Sequence, residues 1–434
     1  LGEVRVQRLE DVELGRCQRL AAPGPEGLVL QRDGHRGQTL LSGGLRFTTD
    51  DVSYLRSEAG GAALAAVAEF ALTDATRIAD TTEARARFGD RAPVLMETML
   101  LRRRAVDKLG EFEASGWLFT DEALQQATAA PVAVHRAARL AATGRVVHDA
   151  TCSIGTELAA LRRARVDALG SDIDPVRLAM AAHNVGGGLC RADALRPITR
   201  DAVIVVDPAR RSGGRRRFSP DDYQPGLGHL IDTYRDRDFV VKCAPGIDFE
   251  QLARMGFDGE IGVTSYRGSV REACLWSAGL AEPGVRRRAS VLDRDEHLTD
   301  NEPDDCGVRP AGRWIVDPDG AVVRAGLVRH YGARHGLWQL DPDIAYLSGD
   351  ELPANVRGFE VLERLDFDER RLRQALAALD CGALEILVRG LQVDPDALRR
   401  RLRVRGTRAL SVVITRLGAG PAARATAYVC QASR

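Results

Sequence analysis

Apolar positions recur at helical spacing from Phe47 to about residue 145. Thr48 or Thr49 can cap a helix running from Asp50. Pro93 sits where a first helical turn would begin and Gly110 where that helix would stop. Between them Leu95, Met99, Val106 and Leu109 fall on one face. Thr120 precedes DEALQQATAAPVAVHRAARLAATG, which predicts one or two further helices. The period changes at Arg145, where short β-branched runs begin to alternate with helical segments: RVVHDA, ELAALRRA, VDALGSDID, PVRLAMAAHN, AVIVVDP, GHLIDTYR and DFVVKCAP. Apolar strands buried on both faces and separated by helices predict a parallel, doubly wound α/β sheet. EIGVTSY and ACLWSAGL are expected to close its far edge.

Residues 293–310 (DRDEHLTDNEPDDCGVRP) are acidic, polar and rich in turn formers, and read as a linker. Beyond them RWIVD reads as a strand and AVVRAGLVRHYG as a helix. FDERRLRQALAALD is a helix with Leu372, Ala375, Leu376 and Leu379 on one face. ALEILVRG is a strand, Asp394 and Pro395 open the short helix DALRRRLRV, and SVVITRL and TAYVCQ are closing strands. The expected organisation is a tail over residues 1–45, disordered or an extended translation start, a helical domain over 46–144, the sheet domain over 145–292, the linker, and a small α+β domain over 311–434.

A chain of 434 residues with 44% hydrophobic content can build more than one core. No apolar run approaches the roughly 18 residues of a membrane span, and no basic stretch followed by an apolar one opens the chain. Eight scattered cysteines without a CxxC pair point to reduced thiols in the cytoplasm and to no zinc site. The formal net charge of zero argues against a strongly charged partner read by the whole molecule. Lys108 and Lys242 are the two lysines, so the positive charge is almost entirely arginine. Codon usage accounts for such a bias, yet a local guanidinium cluster can still grip phosphate.

An acidic residue stands near the end of each early strand: Asp149, Asp172, Asp193 and Asp207. In a doubly wound sheet, ligands bind at the carboxyl ends of the strands, so four carboxylates recurring there delimit one pocket. The first strand runs into HDATCSIGTE, where Gly155 and the small Thr151 and Ser153 allow a tight turn. One glycine is too few for a pyrophosphate cradle. S-adenosylmethionine, with an amino acid end, a cationic sulfonium and no phosphate, suits such a turn. Asp149 can face its ammonium group. Asp172, 23 residues on, stands at the spacing of an acid that holds ribose hydroxyls. Asp193 can accept a bond from the adenine amino group. Asp207-Pro208-Ala209-Arg210 ends the fourth strand beside the methyl donor, where it can grip a planar target. Strand ends and helix caps favour aspartate for structural reasons too; the ordered set is the signal, not any single residue. His148 is expected to pack beside Asp149, and Lys242 to face the cleft.

DATCSIGTE, SDIDPVRLAMAAHN, RADAL and VVDPARR resemble the successive motifs of class I methyltransferases, the first resembling the D-P-x-C-G-x-G-T form of RNA methyltransferases that carry THUMP domains. FTTDDVSYLRSEAG, WLFTDEALQQAT, VKCAPGIDF, VREACLWS, and GALEILVRG with DPDALRRRL extend the likeness. From about Phe47 to the C-terminus the chain resembles actinobacterial methyltransferases with a THUMP-like C-terminal domain. The resemblance implies a Rossmann-like class I methyltransferase sheet with a helical N-terminal domain and an α+β THUMP-like domain. It implies S-adenosyl-L-methionine bound by Asp149, Thr151, Gly155, Thr156, Asp172 and Asp193, and catalysis by Asp207, Pro208 and Arg210. It also implies an RNA partner and neither membrane nor metal. Two departures stand out. Ala209 and Arg210 replace the aromatic end of a D-P-P-Y motif, so the ring that stacks a flipped adenine is missing. Ser153 stands where glycine is usual.

The expected reaction is N-methylation of a base amino group in structured RNA, rRNA or tRNA, with Asp207 and the Pro208 carbonyl accepting its hydrogens. Arg210, Arg211, Arg215, Arg216 and Arg217 in RRSGGRRR form either a phosphate grip or a solvated loop. One alternative is pyrimidine C5 methylation with Cys243 as nucleophile, since VVKCAP resembles the V-S-C-N-P segment of uracil-C5 methyltransferases. A second alternative is a non-catalytic nucleic-acid-binding protein with a vestigial donor site.

Overall fold

The computed structural model describes residues 45–210, 220–420 and 423–433. The expected tail, apart from its last residue, and Arg211 to Arg217 of the arginine-rich loop lie outside the described residues. The chain divides into two compact units. One comprises residues through Cys243 with Ile247–Phe257 and Leu275–Leu280; the other comprises Ala244–Gly246, Asp258–Cys274 and Ala281–Arg434.

The first unit opens with helices α1 (Thr49–Leu55), α2 (Glu58–Ala68), α3 (Arg77–Phe88), α4 (Ala92–Leu109), α5 (Glu111–Gly116), α6 (Asp121–Gln126) and α7 (Ala130–Ala141). A capping box starts α1: Asp51 N–H donates to Thr48 Oγ1 at 3.1 Å, and Thr48 N–H donates to the Asp51 carboxylate at 2.9 Å. Pro93 lies in the first turn of α4, which stops at Gly110 with φ +90°. The spacing that predicts this helix buries Leu95 and Leu109 and half-buries Met99 and Val106.

Strands β1 (Val147–Asp149), β2 (Ala168–Asp172), β3 (Leu189–Arg191) and β4 (Val203–Val206) follow, with α8 (Thr156–Arg163) and α9 (Pro175–Asn184) as crossovers. A two-residue pair, β5 (Ala209–Arg210) and β6 (Tyr223–Gln224), then α10 (Leu227–Thr233), β7 (Phe239–Cys243) and α11 (Phe249–Arg254) complete it. Strands β3, β2, β1, β4 and β7 lie side by side in that order, every pair parallel. Every residue of β1 and β4 is buried; the continuous apolar run VIVV of β4 requires it, and in β1 the polar His148 and Asp149 are buried with Val147. The N-terminal helices share their core with this region: Phe47, Leu64, Leu101 and Phe119 pack with Ile154 of the turn after β1 and Met180 of α9.

The second unit holds β8 (Glu260–Tyr266), β9 (Ser269–Trp276, whose last two residues belong to the first unit), β10 (Arg287–Val291) and β11 (Glu296–Thr299). β10 runs parallel to β8 and antiparallel to β11. The stretch expected to be a linker, 293–310, therefore contains a paired strand. Turn-forming polar residues dominate it, but His297 and Leu298 sit within the ladder opposite Ser290 and Ala289. Next come β12 (Trp314–Val316), α12 (Gly320–Ala325), α13 (Val328–Arg334), β13 (Trp338–Asp341), β14 (Ile344–Gly349), β15 (Gly358–Asp366), α14 (Glu369–Ala378), β16 (Cys381–Arg389), α15 (Pro395–Leu402), β17 (Arg408–Leu417) and β18 (Arg424–Ala432). The single helix expected over AVVRAGLVRHYG is two, broken where Gly326 takes φ +76°. Seven strands form a sheet in the order β13-β14-β12-β15-β18-β17-β16, antiparallel except for β16 with β17. No helix among the described residues is long and apolar enough to cross a membrane.

Candidate functional site

The parallel register aligns the strand ends. Asp149 lies opposite Gly170 and Val205, and Asp172 opposite Arg191, so the acids that follow β1, β2, β3 and β4 emerge at one edge. Asp149 is 3% exposed and accepts from Thr151 N–H at 3.2 Å. Burial first, then the Glu157 carboxylate, holds its carboxyl well above the usual carboxylate range. Thr151 Oγ1 in turn accepts from the Asp207 N–H at 2.7 Å, so one threonine ties the end of β1 to the end of β4.

Asp172 is buried, and each of its oxygens takes one backbone N–H: Oδ2 from Ser153 at 2.9 Å and Oδ1 from Asp174 at 2.8 Å. Burial raises its pKa, and these two bonds oppose the rise. A carboxylate offers about four acceptor sites, so two remain for a vicinal diol. Asp193 is half-buried and uses Oδ1 on the Leu195 N–H at 2.9 Å. Its other oxygen can accept from an amino group.

The turn between β1 and α8 is fixed at two unusual residues. Gly155 has φ +93°, and a Cβ there would come within 2.9 Å of Val185 Cγ2. Ser153 has φ +48°, in the left-handed region that favours glycine. Thr156 begins α8.

Asp207 is exposed, and its Oδ2 pairs with Lys242 Nζ. Lys242 also donates to Thr128 Oγ1 at 2.9 Å. Behind them Arg136, 2% exposed, forks onto Glu157 with contacts of 2.8 and 2.6 Å. Pro208 is buried directly after Asp207. Arg210 contributes backbone to the β5–β6 pair; its side chain lies outside what the structure describes, as does the rest of the basic run to Arg217. His148 bonds Ser171 Oγ at 2.9 Å and Thr199 Oγ1 at 3.3 Å. Burial, with Arg237, pushes its pKa down to about 4, so it is a neutral packing group. Cys243 is 4% exposed, with Sγ 3.9 Å from the Val241 carbonyl.

Three participants are not among the residues assigned from the sequence. Thr128 enters through Lys242. Asn184 accepts from Leu118 N–H at 2.8 Å and donates to the Leu118 and Ile154 carbonyls at 3.0 and 2.9 Å, fastening the helical region to the turn after β1. Ile173 leaves an apolar side chain 62% exposed next to Asp172. That isolated aliphatic between two acids in SDIDP was its only signal.

Comparison with known proteins adds to this geometry. Residues 356–432 match the family described as THUMP domain-like, and residues 48–105 match a domain of unknown function. A protein of Mycobacterium tuberculosis strain H37Rv, named an uncharacterized S-adenosylmethionine-dependent methyltransferase, is 75% identical over 359 residues, covering 81% of this chain and 100% of the relative. Its counterpart in strain CDC 1551 / Oshkosh matches at the same 75% over the same coverage. The crystal structure of a Porphyromonas gingivalis W83 protein that carries a methyltransferase name superposes with a TM-score of 0.63 at 18% identity, over 83% of this chain and 99% of that one. At that identity the likeness establishes the fold.

Proposed function

Because this chain belongs to the S-adenosylmethionine-dependent methyltransferases and S-adenosylmethionine is its cofactor, we propose that it methylates an amino nitrogen of a base in structured RNA, rRNA or tRNA, in the cytoplasm. The bound cofactor supplies an electrophilic methyl on a sulfonium that is already a good leaving group. The chain's own residues bind, orient and exclude water. Asp172 accepts the ribose hydroxyls at its two open positions, with Ile173 against the adenine ring and Asp193 on the adenine amino group. Asp149 faces the ammonium group beyond the turn from Thr151 to Thr156.

The observation that carries the acceptor reading is the fixed carboxylate at the end of β4. Thr151 holds Asp207 by its N–H and Lys242 holds it by Oδ2. Oδ1 and the Pro208 carbonyl are then the acceptors that take an amine's hydrogens and aim its lone pair at the methyl. Arg210 is placed in the same loop, where it would contact the target. The THUMP domain-like match supports RNA as the class of acceptor.

The test uses unmodified tRNA and rRNA transcripts with isotopically labelled S-adenosylmethionine, read by nucleoside mass spectrometry. The expected product carries the label on an exocyclic nitrogen. Asp207→Ala loses about a hundredfold or more in rate, the scale of removing a group that acts on the reacting atoms, and Cys243→Ser retains most of it. A C5-methylpyrimidine that disappears in Cys243→Ser would replace this reading with the thiolate mechanism.

A further inference from the structure

A groove of about 1000 Å³ in the C-terminal domain is lined by Arg373, Arg400, Arg401, Arg403, Arg405 and Asp380, with apolar Leu402 and Val404 between them. Its free charge is positive. The one acidic lining residue is already engaged, because Asp380 Oδ2 accepts from the Thr407 hydroxyl and from Thr407 N–H at 3.3 Å. Arg401 pairs with Glu369, and Arg373 donates to the Arg401 carbonyl at 3.0 Å. Arg400, Arg403 and Arg405 are exposed and form no ion pair or side-chain hydrogen bond among the described residues.

The floor that presents them is rigid. Gly406 N–H donates to the Cys381 carbonyl at 2.7 Å, and Thr407 and Arg408 N–H both donate to the Asp380 carbonyl, at 3.0 and 2.9 Å. The backbones lie so close that a Cβ on Gly406 would collide with Asp380. Arg403 itself takes φ +50° at the end of α15, a conformation glycine adopts more readily. Basic residues in a last helical turn do complement the helix dipole. Arg403 and Arg405 stand past the end of the helix, where that effect fades.

We propose that this groove binds the phosphate backbone of the RNA acceptor, with Arg400, Arg403 and Arg405 as the phosphate contacts. The proposal rests on the reading of RNA as substrate. Planar guanidinium groups fork onto phosphate oxygens, and unpaired arginines on a fixed floor lose little by doing so.

The experiment titrates a fluorescein-labelled tRNA transcript, and separately an rRNA transcript, into the full chain at increasing salt, for wild type and for Arg400→Ala/Arg403→Gly/Arg405→Ala. The wild type should bind with affinity falling steeply with salt. The variant should lose about tenfold or more in affinity and flatten the log–log salt slope by about 2 to 3, the range for three phosphate contacts on single- or double-stranded segments. The melting temperature and the S-adenosylhomocysteine-induced melting shift should not fall, since Arg403→Gly suits the left-handed backbone. An unchanged slope in a variant that still binds RNA overturns the groove and leaves the substrate reading standing. Absence of RNA binding by a wild type that still responds to S-adenosylhomocysteine overturns both. Displacement by polyglutamate as efficient as by unlabelled RNA reassigns the groove to an acidic protein partner.

Discussion

The edge of the parallel sheet and the groove beside α15 both gather charge of one sign, and they do so in opposite ways. At the sheet edge Asp149 and Asp172 are buried and held by backbone N–H groups, and the exposed Asp207 is held by Lys242. In the groove Arg400, Arg403 and Arg405 stand in solvent and form no ion pair or side-chain hydrogen bond among the described residues. Buried, tethered like charges are costly and shape-specific; they suit one small cationic ligand placed to the ångström. Exposed, unpaired like charges cost little and are indifferent to sequence; they suit a polyanion whose counterions they release. Salt should therefore scarcely alter donor binding and should strongly weaken RNA binding.

The difference should be visible first in stability. Arg136→Met leaves Glu157 buried without its counter-charge, and about 3–5 kcal/mol should be lost on urea denaturation. Arg401→Ala breaks the exposed pair with Glu369 and should leave the midpoint nearly where it was. Equal effects of the two substitutions would erase the contrast between the regions.

A smaller effect should appear with pH. The folded protein holds the Asp149 carboxyl above its ordinary value of 3.8. The stability this proton contributes is present below that value and is lost as pH rises through the raised one. The melting temperature of wild type should therefore fall relative to that of Asp149→Asn from about pH 4 upward. A cationic ammonium favours the ionised carboxylate, so donor affinity should rise over the same interval in wild type and stay level in the variant. Parallel melting profiles would mean that Asp149 is not buried as described.

The sequence made the sheet edge easy to read and the network behind it hard. Acids at strand ends follow from local pattern: a continuous apolar run such as VIVV, then a polar stop. The capping of α1 and the limits of α4 are equally local. Lys242 meets Asp207 35 residues away and Thr128 114 residues away, and no periodicity encodes those pairings. In the second unit β15 left little trace, because most of its residues are exposed or half-buried and its register slips between Val361 and Glu363. β11 was hidden by its acidic, turn-rich neighbours. The groove escaped as well: DALRRRLRV reads as a helix, while the free charge depends on where Glu369 and Thr407 take up Arg401 and Asp380.

In the proposed function the carboxylates at the ends of the parallel strands hold the methyl donor. Calorimetric titration of S-adenosylhomocysteine into wild type and Asp172→Ala tests it most directly. Two charge-assisted bonds at about 1.5–3 kcal/mol each predict a loss of about a hundredfold or more in affinity, with wild-type binding little changed by salt. Equal affinity in the two proteins would contradict the account.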